Sequence, residues 1–169
     1  VLAFGYGLVS KVHLRGGDDR HALQAVDSAW AAMAMTNASK DKAYVASHVC
    51  DVYADLNLQE AAIATHQYGI YQFHQAGDPV NAAKAASNLG YYLLDLNLYE
   101  RARPYIFGAF EIVSAQGRPG SEMFGYGQIA SYYDKAGRPD SLAHYTRLAL
   151  QSAERNNNAY FIAIFEGML

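Results

Sequence analysis

Six histidines and one cysteine are the residues of this chain whose types could support metal or nucleophilic chemistry. His66 and His74 lie eight residues apart on one predicted helix, and the repeat pattern described below puts them on a mostly exposed face. His13 and His21 straddle a helix turn. None of the six falls in an HExxH string, a Cys/His cluster or beside paired carboxylates at ligand spacing, so no metal site is assigned. Cys50 stands where each repeat places a small packing residue, which predicts a buried, inert thiol. The string FGYG, at Phe4–Gly7 and again at Phe124–Gly127, has the glycine content of a phosphate loop. Both copies fall inside predicted helices, so they are read as points of close helix packing. No G-x-x-x-x-G-K-S/T string exists. No catalytic residue and no cofactor are assigned, and the chain is read as non-enzymatic.

The totals narrow the class further. The chain has 169 residues, 51% hydrophobic and 17% charged, with a net charge of -3. That is enough apolar material for a sizeable core and too little charge for a disordered chain. No run of Lys and Arg marks a nucleic-acid footprint. A single cysteine excludes an intrachain disulfide and fits a reducing compartment, so a cytoplasmic location is expected. No apolar run approaches the roughly 20 residues of a membrane span.

The elements that must position these residues recur every forty residues. The string DLNLYERARPYIFGAF from Asp95 repeats DLNLQEAAIATHQYGI from Asp55, with Lys135 aligned to Asp95 one period later. Four units follow, at about 2–39, 42–79, 80–119 and 120–158, with residues 159–169 starting a fifth. One column of the alignment reads Gly17, Asn57, Asn97, Gly137. A second reads Asn37, Gly77, Gly117, Asn157. Gly and Asn are the residues that most readily take φ > 0 and close a helix at its C-terminus. Each unit therefore holds two helices. Pro79, Pro119 and Pro139 follow such caps by two residues, where helices restart. Helices are predicted near 2–15, 20–36, 42–55, 59–76, 81–95, 99–116, 121–135, 140–156 and 159–169, with no strands.

Further columns carry the packing. Ser10, Cys50, Gly90 and Ala130 are small, as are Ala22, Ala62 and Ala102, with Leu142 the larger fourth member. Ala29, Gly69, Ala109 and Ala149 follow two turns on. Large partners alternate with them, at Val9, Val49, Leu89 and Ile129, then Trp30, Ile70, Phe110 and Leu150. Small residues at recurring positions let helix axes approach closely. Pro104 stands outside the pattern and is expected to bend its helix, because it lacks a backbone donor.

This succession resembles the tetratricopeptide repeat. In the third unit it reads Leu89–Gly90, Leu93, Asn97, Tyr99, Ala102 and Ala109; in the fourth, Ile129–Ala130, Tyr133, Gly137, Leu142 and Ala149. The standard repeat has 34 residues and this one 40. It is similar to the elongated variety of bacterial signalling proteins, including MalT-like regulators, Rap-type peptide receptors and sensor regions before kinase or cyclase domains. HEAT-like arrays share the period but do not place an Ala–Ala pair after a Gly cap in this way.

The resemblance implies an all-α fold: an α-solenoid of about four helical hairpins in a right-handed superhelix, forming a single domain over 1–169. The first helices of such arrays line a concave groove. By phase, the recognition positions fall on Phe4, Lys11 and Arg15 in the first unit, Tyr44, Ser47, His48, Asp51 and Asp55 in the second, Lys84, Ser87, Asn88, Tyr91 and Asp95 in the third, and Phe124, Gln128, Ser131, Asp134 and Lys135 in the fourth. Their aromatics, amides and charges suit a protein or peptide ligand, aromatics holding side chains and amides holding backbone. The lysine that chaperone-binding relatives use for a C-terminal carboxylate is replaced by Gly7, Ser47, Ser87 and Gly127. The implied role is a protein- or peptide-binding module, the regulatory region of a larger bacterial signalling or transcription protein. A ligand-gated receptor of the Rap or MalT kind and a structural scaffold are the alternatives. Direct nucleic-acid or membrane contact is not expected. The first helix starts without a cap, and the last, YFIAIFEGML at 160–169, shows an apolar rather than a polar capping face. The chain is therefore expected to be a piece of a longer protein, or to be covered at 159–169 by another chain, including a second copy.

Overall fold

The turns between helices are the repeating structural event. The computed structural model describes residues 2–117 and 120–169. Among them run nine α-helices: α1 (Leu2–Arg15), α2 (Asp19–Ala34), α3 (Ser39–Asp55), α4 (Gln59–Gln75), α5 (Pro79–Asp95), α6 (Tyr99–Ser114), α7 (Ser121–Lys135), α8 (Pro139–Arg155) and α9 (Ala159–Met168). No strand occurs among the described residues. The fold is an α-solenoid of helical hairpins.

Seven of the eight predicted caps have positive φ: Gly17, Asn57, Gly77, Asn97, Gly117, Gly137 and Asn157. At Gly77, its own N–H reaches the His74 carbonyl at 3.0 Å and the Asp78 N–H reaches Phe73 at 3.0 Å. The same pair of bonds follows Gly17, Asn57, Asn97, Gly137 and Asn157. This motif satisfies carbonyls that the end of a helix would otherwise leave unpaired. Asn37 is the exception, since its φ is not positive. There the Met35 and Thr36 amides close the helix onto Ala32 and Met33, and the Thr36 hydroxyl accepts the Ala38 N–H at 3.2 Å. A side-chain turn replaces the left-handed cap. Pro79 and Pro139 open α5 and α8 as expected, and Pro119 lies outside the described residues. Helix α6 runs continuously through Pro104.

The chain divides into two compact units, Val1–Ala85 and Ala86–Leu169, the boundary falling within α5. In the first, α1 packs on α2 and α3 on α4. Its core joins Ala22, Val26, Ala29 and Met33 to Val45, Val49 and Val52, with Trp30 and Tyr53 against it. The Trp30 indole N–H donates to the Tyr53 hydroxyl at 3.2 Å, so the polar edge of the ring is satisfied. Farther along, Phe73 packs with Ala43 and Ala82. In the second unit α7 packs on α8, and α8 on α9. Met123, Ala149, Ala153 and Phe165 form a core flanked by Phe161 and Ile162. Within the unit α9 buries Phe165 and half-buries Phe161, Ile162 and Met168, whereas Tyr160 and Ile164 are exposed.

The small-residue columns are buried as predicted, Leu142 alone being only half-buried. Among their large partners, Val49, Leu89 and Ile129 are buried, but Val9 is exposed. Glycine is needed at specific crossings. A Cβ on Gly125 would lie 2.0 Å from the Phe110 ring, and one on Gly90 would lie 2.5 Å from Ile106. A Cβ on Gly7 would lie 3.2 Å from His48, and one on Gly127 3.0 Å from Phe165. Gly5 has open space, so close packing explains three of the four FGYG glycines.

Two substitutions separate these roles. Gly125→Ala forces the Phe110 ring aside and is expected to destabilise by about 1–3 kcal/mol, the usual cost of overpacking. Gly5→Ala is expected to be neutral or stabilising by up to about 1 kcal/mol, the helix-propensity gain. Urea unfolding of the two variants checks this; equal effects would contradict the packing role.

Candidate functional site

Residues forty apart come face to face on neighbouring first helices. In the first unit, Lys11 of α1 forms an ion pair and hydrogen bond with Asp51 of α3. In the second, Lys135 of α7 donates to Asp95 of α5 at 2.6 Å, and Tyr91 shares a side-chain hydrogen bond with Ser131. The register that aligned these residues in sequence is therefore a physical contact. Such exposed pairs add little stability; they fix how one hairpin meets the next and consume the charges of Asp51 and Asp95. The hydrogen bond to Asp95 also raises the Lys135 pKa.

The remaining predicted positions differ in exposure. In the first unit, Tyr44 and Lys84 are exposed and His48 is half-buried. The His48 ring meets Phe4 edge-on at 4.9 Å, and its Nδ1 is buried without a hydrogen-bond partner. Burial, aided by nearby Lys11, lowers the His48 pKa, and Asp51 opposes the shift. In the second unit, Asn88 and Phe124 are exposed, whereas Tyr91, Gln128 and Ser131 are half-buried. Burial raises the Tyr91 pKa, against the effect of its Ser131 bond. The Ser131 hydroxyl donates to the Gly127 carbonyl at 3.0 Å. Phe124 stacks edge-on to Phe161 at 4.8 Å.

One column stands out by exposure. At the third residue of α1, and at the same phase of α3, α5 and α7, stand Phe4, Tyr44, Lys84 and Phe124. The three aromatics are 42%, 39% and 53% exposed. In the first unit Phe4 and Tyr44 line a cleft of about 540 Å³, together with Leu2, Ala32, Met35 and Val45. Sequence phase located the aromatics of this cleft but not Met35, which is 89% exposed at the end of α2. Its signal was the irregular turn at 35–38, which the column of caps concealed.

Two other readings are settled by burial. Cys50 is buried, its thiol pushed up to about 12 by burial, and its Sγ–H donates to the Ser47 carbonyl at 3.2 Å. It is an inert packing residue. His66, expected on an exposed face, is half-buried, and burial lowers its pKa while Asp51 opposes. His74 is exposed as expected.

No protein-family model matches the chain, and no curated protein matches it. Among solved structures it is similar to the apo form of RapI, with a TM-score of 0.78 and 16% sequence identity. The likeness covers 95% of this chain and 59% of RapI. At that identity it establishes a shared helical-repeat fold. No helix of the described residues is long and apolar enough to cross a membrane.

The histidine shifts give a pH prediction. For both His48 and His66 the folded pKa lies below the ordinary value of 6.5. The unfolded chain then binds more protons than the folded one, so stability falls as pH drops through about 6.5 toward the depressed folded values. Urea midpoints measured from about pH 8 to pH 5 should fall, and His48→Gln with His66→Gln should flatten that slope. An unchanged slope in the double variant would contradict the burial of these rings.

Proposed function

We propose that this chain is a non-catalytic protein- or peptide-binding helical-repeat module, the regulatory region of a larger bacterial signalling or transcription protein. One observation carries the reading: the first-helix column Phe4, Tyr44, Lys84 and Phe124 keeps large aromatics partly in water, although each also rests on one internal ring. Buried aromatics hold helices together, whereas exposed ones at a repeated phase offer anchors to a ligand. The ligand is an extended peptide or partner helix whose apolar side chains meet these rings. Lys84 and Asn88 are exposed polar groups on α5. Asp51 and Asp95 act as positioning residues, since each is already engaged by a lysine.

The shared fold with RapI favours a ligand-gated version, in which binding shifts the hairpins and releases an attached effector. Such gating requires the ligand to bind one arrangement better than the other. This chain spans 59% of the RapI chain.

The test is a random peptide display selection against the purified chain. Peptides recovered should lose about ten-fold or more in affinity on Tyr44→Ala or Phe124→Ala, as expected for interface anchors. Tyr71→Ala, an exposed tyrosine of a second helix, should change nothing. Peptides indifferent to both first-helix changes would overturn the proposal.

A further inference from the structure

The first turn of the chain brings together three metal-ligand side chains that the binding face does not use. His13 lies in the last turn of α1, Asp18 caps α2, and His21 lies in the first turn of α2. Each can offer one donor atom, and the three donors lie within 4.8 Å of one another. His13 Nδ1 is 3.6 Å from Asp18 Oδ2, and His21 Nδ1 is 2.7 Å from the same oxygen. The two imidazoles stack at 5.4 Å with an interplanar angle of 28°. All three side chains reach solvent, at 37%, 43% and 58% exposed for His13, Asp18 and His21.

We propose that His13, Asp18 and His21 form a binding site for a divalent transition metal of the zinc type. Two imidazole nitrogens and one carboxylate oxygen suit zinc and its borderline neighbours, and disfavour magnesium and calcium, which take all-oxygen sets. Tetrahedral coordination at about 2.0–2.1 Å from nitrogen needs donors on the order of 3.4 Å apart. The donors must close to that spacing from within 4.8 Å, and the two imidazoles must turn out of their stack so that a ring nitrogen of each aims at one ion. The His21–Asp18 hydrogen bond is exchanged for coordination, and the open side leaves a fourth position for water.

Helix capping alone does not account for the cluster. Capping needs only Asp18, whose Oδ1 accepts the His21 backbone N–H at 3.2 Å. His13 comes from the other helix. It is held there by the turn itself, since its carbonyl accepts the Gly16 and Asp18 amides at 3.0 and 2.9 Å. The same turn closes later first helices with unrelated residues at the three positions: Tyr53, Leu58 and Ala61; Leu93, Leu98 and Arg101; Tyr133, Arg138 and Ser141. The fold therefore does not require this set, and the left-handed Gly17 pre-forms it. The site is independent of the peptide-binding proposal.

Isothermal titration of ZnCl2 into the chelator-treated chain is expected to show saturable binding of one equivalent. The ¹H–¹³C ring resonances of His13 and His21 should shift together, with those of exposed His74 unmoved. His13→Ala with His21→Ala should weaken binding on the order of 100-fold or more, beyond what loss of an outer-shell partner costs. Asp18→Asn keeps a competent cap while removing the carboxylate, and should also weaken binding. Circular dichroism confirms that the variants stay helical. Failure to saturate, unchanged affinity in the double histidine variant, or equal binding of Mg²⁺ would overturn the assignment.

Discussion

The left-handed turn at the end of each helix is the constraint on which the structure depends. A chain of good helix formers has no intrinsic reason to stop after four or five turns. Gly or Asn at φ between 50° and 74° stops it here, at Gly17, Asn57, Gly77, Asn97, Gly117, Gly137 and Asn157. The positive φ costs an ordinary L-residue about 1–2 kcal/mol, so only residues that tolerate it hold these places. The reversal then fixes everything local: which helix follows, at what offset, and which faces meet. Even the His13, Asp18 and His21 cluster exists because one such turn folds the end of α1 against the start of α2.

Close approach is the second layer of the same logic. Once the turns place helices antiparallel, the small columns decide how near they come. Gly90 receives the Ile106 side chain and Gly125 receives the Phe110 ring, with no room for a methyl group. Ala22, Ala62 and Ala102 are fully buried at the matching place in three successive hairpins. What is left over on the first helices is a narrow band of side chains. Within that band the forty-residue register pairs Lys11 with Asp51 and Lys135 with Asp95. The paired charges are framework, and the partly exposed aromatics of the same helices, each resting on one internal ring, are the proposed docking surface.

The sequence made the helices legible because the chain repeats itself. One ambiguous Asn says little; a column of Gly and Asn says that the backbone at that place is left-handed. The same reasoning failed at Asn37, where the Thr36 hydroxyl offered a competing turn that no column displays. It misplaced His66, since exposure on a repeat helix depends on what the neighbouring hairpin covers. It also gave Val9 a packing role, whereas Val9 is exposed. The binding positions were legible as phases, but which of them are occupied by internal partners was not. Tyr91 could not be known to bond Ser131, nor Phe124 to stack on Phe161, before the hairpins were assembled. The spacing His13, Asp18, His21 matches no common ligand signature, and only the closed turn brings the three together.

The central claim is that exposed first-helix aromatics are where a ligand docks. Site-specific photocrosslinking measures this directly. A photoreactive phenylalanine analogue is placed in turn at position 44, at 124 and at 71, and irradiated with a peptide selected for binding. The account predicts that the peptide is captured from positions 44 or 124 and not from 71, on the second helix α4. Capture from 71 with none from 44 or 124 would contradict it.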